Sequence, residues 1–69
     1  MEAMIRVNGE RQALLGATIE DLLRRQGVDL AARGIAVALN GAVVPKGRWA
    51  DTMLQPGDEL EIVKPFSGG

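Results

Sequence analysis

"MIRVNGERQALLGATIEDLLRRQG", residues 4–27, changes its hydrophobic period part-way along, and that change decides the fold. Over Met4 to Asn8, Ile5 and Val7 share one face, the two-residue repeat of a half-buried strand. Asn8-Gly9 supplies the positive φ values of a two-residue hairpin turn, so a second strand over roughly Glu10 to Leu14 returns antiparallel to the first. From Thr18 the period lengthens. Ile19, Leu22, Leu23 and Gln26 stand at i, i+3, i+4 and i+7, which puts the three aliphatics on one helical stripe. Thr18 is placed as the N-cap, Asp21 as a first-turn acid, and Gly27 as the left-handed residue that ends the helix. Glu20 with Arg24, and Asp21 with Arg25, form i, i+4 pairs on the outer face, each worth only about 0.2–0.5 kcal/mol.

Outward from this core the pattern returns to strands. Val28 to Arg33 reads as a connector with room for a short turn of helix. "IAVALNGAVV", residues 35–44, reads as strand, Asn40-Gly41 turn and a short continuation to Val44, where Pro45, lacking an amide hydrogen, stops the ladder. "KGRWADTMLQPGD", residues 46–58, is aperiodic, and its Pro56-Gly57 suits the central pair of a type II turn. "ELEIVK", residues 59–64, turns Leu60 and Ile62 inward and Glu59 and Glu61 outward. One amphipathic helix needs a sheet face to cover. The order strand, strand, helix, strand, irregular segment, strand predicts an α+β fold, a mixed sheet of about four strands with the helix on one face, which is a β-grasp. The expected division is a β-grasp domain over 1–64 and a flexible Gly-Gly tail over 65–69. Met4 offers an alternative start, leaving Met1 to Ala3 as an extension outside the fold.

Composition removes most chemistry. At 69 residues and 46% hydrophobic, the chain supports one small core and, at about 0.05–0.15 kcal/mol per residue, a net stability of roughly 3–10 kcal/mol. Little is left over to hold strained catalytic geometry. The absence of cysteine and histidine removes disulfides, thiolate catalysis, Cys-based zinc sites and the common nucleophile-histidine arrangements. A formal charge of −1 provides no footprint for nucleic acid. No apolar run has the length of a signal peptide or membrane span, so the expected location is the cytoplasm.

The remaining candidates are few. Asp58, Glu59 and Glu61 make an acidic cluster in which Glu59 and Glu61 could pair for acid/base work, but its plain reading is a solvated strand edge. "GAVVPKG" lacks the order of a phosphate-binding loop, and Trp49 reads as a plug beneath the irregular segment. The tail "KPFSGG", residues 64–69, stands out because Gly-Gly follows directly on the last strand. Pro65 to Gly69 would reach about 15–18 Å when extended, and two peptide units without Cβ atoms fit a narrow channel.

Val37 to Asn40, Val44-Pro45, Trp49, Gly57-Asp58, Glu59 to Val63 and Gly68-Gly69, in that order, resemble the bacterial sulfur carrier family ThiS. The Asn8-Gly9 hairpin and the "TIEDLL" helix start agree with it, so the resemblance spans nearly the whole chain. It implies a carrier with no cofactor or metal of its own. A ThiF-type adenylyltransferase would use ATP and magnesium to join the Gly69 carboxylate to AMP, with Gly68 keeping the approach open. Sulfur from a cysteine desulfurase or another donor would displace AMP, and the thiocarboxylate would serve thiazole synthase, ThiG. Phe66, Ser67 and Val63, with the sheet face opposite the helix, are the candidate partner contacts; the plain alternative is that Val63 is an ordinary strand residue and Phe66 folds back. Competing readings are the small subunit of molybdopterin synthase, a ubiquitin-like protein modifier, and an interaction module with an idle tail.

Overall fold

The structure, a computed structural model, describes residues 3–13 and 17–64. Strands β1 (Met4–Val7) and β2 (Glu10–Ala13) form the first hairpin, followed by helix α1 (Ile19–Arg25). Strands β3 (Ala36–Leu39) and β4 (Ala42–Val43) form a second hairpin, and β5 (Glu59–Val63) comes last. They make one sheet in the order β2-β1-β5-β3-β4, with β5 parallel to β1 and antiparallel to β3. Among the described residues the sheet thus has five strands where about four were expected. The continuation after Asn40-Gly41 pairs as a strand of its own, Leu39 with Ala42 and Ala38 with Val43, and two residues are too few to show a period.

Both Asn-Gly pairs turn as their chemistry requires. Asn8 and Gly9 have φ of 50° and 84°, Asn40 and Gly41 of 51° and 86°, the double positive φ of a type I′ hairpin. At Pro56-Gly57 the Gly57 φ of 86° and the hydrogen bond from the Asp58 amide to the Gln55 carbonyl, 3.1 Å, close the expected type II turn.

The helix begins with a reciprocal cap. The Asp21 amide donates to Thr18 Oγ1 and the Thr18 amide donates to the Asp21 carboxylate, both at 3.2 Å. Asp21 is thereby committed, and no ion pair to Arg25 forms, whereas Glu20 meets Arg24 at 2.8 Å. The irregular segment completes the helix start. The Ile19 and Glu20 amides, which have no partner within the helix, donate to the Thr52 and Trp49 carbonyls at 3.0 and 3.1 Å. The same segment contributes one 3₁₀ turn, Lys46–Arg48, and carries buried Trp49 and Leu54 under the sheet. Trp49 is the expected plug, 3% exposed, with its indole N–H donating to the Val44 carbonyl at 2.9 Å. The connector after α1 contains no helical turn; Asp29 folds it instead, accepting from the Ala31 amide through its side chain and from the Ala32 amide through its carbonyl.

The core joins one face of the sheet to the helix. Ile5 and Val7 of β1, Val37 of β3 and Leu60 and Ile62 of β5 pack with Ile19, Leu22 and Leu23 of α1, Val28, Trp49 and Leu54. Period-2 strands and a 3.6-period helix have buried the faces their patterns marked.

Candidate functional site

β5 occupies the middle of the sheet, and its far end leads to the glycine pair. Its register is fixed on both sides. Arg6 and Val7 of β1 face Glu59 and Leu60, while Ala36 to Leu39 of β3 run opposite Val63 to Leu60. Val63 closes the strand on the outer face and is 59% exposed, with Lys64 exposed after it. Phe66, Ser67, Gly68 and Gly69, together with the proposed tail boundary at 65, lie outside the described residues, as does Leu14 of the expected second strand.

Two asparagine side chains hold β5 in addition to its neighbours. The Ile62 amide donates to Asn8 Oδ1 at 2.7 Å, and Asn8 Nδ2 donates back to the Ile62 carbonyl at 3.3 Å. At the strand's start the Glu59 amide donates to Asn40 Oδ1 at 2.9 Å, and Asn40 Nδ2 donates to Asp58 Oδ1 at 3.0 Å. The sequence marks both asparagines as turn residues; their second role depends on β5 lying beside each hairpin, which no local pattern announces. The only local hint is that both turns use Asn where Asp or Gly would also serve.

The acidic cluster resolves into separate tasks. Asp58 is structural, accepting from Asn40 Nδ2 and, through its other oxygen, from the Gln55 amide at 2.7 Å. Glu59 and Glu61 are exposed on a central strand, so the expected strand-edge setting is corrected to the outer face of the sheet. Open depressions on that face are lined by Arg6, Arg11 and Glu59, and by Arg6, Asn8 and Glu61. Among the described residues no group of carboxylates is arranged to hold a metal ion, and no helix is long and apolar enough to cross a membrane. The outer face also exposes Val43, 75% accessible, across from Ala38 on β3. Among the described residues this face carries charged and apolar side chains in the open.

The sequence model of the ThiS family matches residues 5–69, from β1 through the glycine pair. The chain belongs to the ThiS family. It is 36% identical over 66 residues to the sulfur carrier protein ThiS of Thermus thermophilus, covering 96% of this chain and 100% of that one. A thiamine biosynthesis protein, ThiS, from Geobacter metallireducens has the same fold, with a TM-score of 0.75, 28% identity, and coverage of 96% of this chain and 99% of that one. A stretch of the thiazole synthase of Paramagnetospirillum magneticum is 42% identical over 64 residues, or 91% of this chain; the chain spans only 19% of that relative's length. The ThiS match and the observed helix-on-sheet architecture agree with the expected β-grasp.

Proposed function

We propose that this chain is a sulfur carrier for the thiazole of thiamin, with the Gly69 carboxylate as its working group. The observation that carries this reading is the ThiS-family match, which runs through Gly68 and Gly69. In the proposed cycle a ThiF-type adenylyltransferase, supplied with ATP and magnesium, lets the carboxylate oxygen attack the α-phosphorus and release pyrophosphate. A sulfur nucleophile, delivered by a cysteine desulfurase or another donor, then attacks the acyl carbon. The carbon–sulfur bond forms as the carbon–oxygen bond to AMP breaks. Sulfide gives the thiocarboxylate directly, whereas a persulfide gives an acyl disulfide that a second thiol cleaves, releasing the thiocarboxylate and leaving the donor's sulfur in a mixed disulfide with that thiol. The thiocarboxylate passes its sulfur to a ThiG-type thiazole synthase.

A ThiS-like stretch within a thiazole synthase relative supports ThiG as the acceptor and favours the thiamin branch over molybdopterin. A chain with neither histidine nor cysteine suits a co-substrate whose catalytic groups belong to its partners, acting in the cytoplasm. Val63 on the exposed outer face, with Phe66 and Ser67 following it, is assigned to partner contact, and Gly68 to an unhindered approach.

Incubation with a cognate adenylyltransferase, ATP, magnesium and a sulfur donor should raise the intact mass by the replacement of one oxygen with sulfur. Removing Gly69 should abolish the shift and leave the circular dichroism spectrum unchanged. A mass shift that survives the deletion, or a truncated chain that unfolds, would rule the assignment out.

A further inference from the structure

We propose that Asn8 is a positioning residue that fixes where and in which direction the chain leaves the sheet toward Gly69. The inference rests on the carrier reading above and adds a residue to it. The Asn8 amide donates to the Leu60 carbonyl at 2.9 Å, and the backbone then turns away into β2. Two residues further along β5, the Ile62 amide and carbonyl face the same edge with no β1 backbone beside them. The Asn8 carboxamide fills that place with one acceptor and one donor, as the next residue of a strand would. On the opposite edge Val63 is opposite Ala36, so both sides of the strand stay engaged up to the point where the remaining residues begin.

The turn alone does not call for this side chain. Glycine and aspartate also adopt the positive φ at Asn8, but glycine bonds to nothing, and aspartate would set a carboxylate against the Ile62 carbonyl. Asn40 provides an internal control, because it has the same turn geometry and clamps the same strand at its other end, at Glu59 and Asp58. Loss of the Asn8 clamp frees the exit of β5. Adding two residues to the segment that follows β5 changes loop closure by less than about twofold, so any larger effect must come from direction and placement. A displacement of about 1 Å at a reacting group can cost roughly a hundredfold.

The test compares Asn8→Gly, Asn8→Asp and Asn40→Gly in the full chain, measuring Ile62 amide exchange and the steady-state rate of thiocarboxylate formation by the adenylyltransferase with ATP and sulfide. Asn8→Gly should exchange at Ile62 about five- to tenfold faster. Its kcat should fall about tenfold, with the carrier KM within twofold of wild type. Asn8→Asp, which keeps the acceptor for the Ile62 amide, should recover part of the loss, and Asn40→Gly should keep the wild-type kcat. Equal slowing by the Asn8→Gly and Asn40→Gly variants would reduce Asn8 to a structural role and overturn the proposal. So would a wild-type kcat in Asn8→Gly despite faster Ile62 exchange. Should Asn8→Gly fail to fold, Asn8→Asp against Asn40→Gly decides on the same criteria. A wild-type chain that accepts no sulfur overturns the carrier reading itself, and any delivery role for Asn8 with it.

Discussion

The indole of Trp49 closes the core beneath the irregular segment and donates its N–H to the Val44 carbonyl just before Pro45 ends the second hairpin. Trp49→Phe keeps an aromatic ring but removes that donor and leaves a partly buried carbonyl without its partner. The expected loss is about 1–3 kcal/mol, a large share of the stability of so small a chain. Urea unfolding followed by circular dichroism measures it, since the substitution removes the single tryptophan and its fluorescence. A loss under about 0.5 kcal/mol would mean that water replaces the indole at Val44. Trp49 was legible as a plug because a lone large aromatic in an aperiodic stretch has few other uses. The Asn8 and Asn40 clamps were not, since a side chain that bonds a strand some 54 or 19 positions away leaves no trace in its own neighbourhood.

A helix of seven residues is too short to persist unaided, so α1 depends on its caps and on the packing of Ile19, Leu22 and Leu23. Thr18→Ala removes the hydroxyl that accepts from the Asp21 amide and should destabilise the fold by about 1 kcal/mol, within the usual 0.5–2 kcal/mol of an N-cap loss. Because Asp21 returns the bond, Thr18→Ala with Asp21→Ala should cost less than the sum of the two single changes. Additive losses in thermal melts would show that the two bonds act independently. The helix and both Asn-Gly turns were legible because their signals are local: a change of period, a cap and a positive-φ dipeptide. Sheet order is different in kind. Nothing between Glu59 and Val63 announces that β5 lies between β1 and β3, parallel to one and antiparallel to the other, because pairing is settled by which buried faces fit together. The tail candidates Phe66 to Gly69 came from position in the sequence and family likeness, and the described residues add the strand that precedes them.

For the molecule as a whole, the buried face of the sheet maintains the fold, and the outer face carries the residues proposed above for partner contact. Ile62 and Val63 are neighbours on β5 with opposite assignments, one 8% exposed in the core and the other 59% exposed outside. Substitution at the two positions therefore separates folding from partner contact. Ile62→Ala should destabilise by about 2–5 kcal/mol through lost burial and the cavity left behind. Val63→Lys touches none of the core and should change stability by no more than about 0.5 kcal/mol. If the outer face meets the adenylyltransferase or the thiazole synthase near the exit of the tail, a charge at Val63 lies within the contact. The dissociation constant for that partner should then rise at least fivefold, about the effect of losing 1 kcal/mol of interface energy. Calorimetric titration of the folded variant checks this. Unchanged affinity would make Val63 an ordinary strand residue and move the recognition surface away from the end of β5, toward Val43 on the far edge of the sheet.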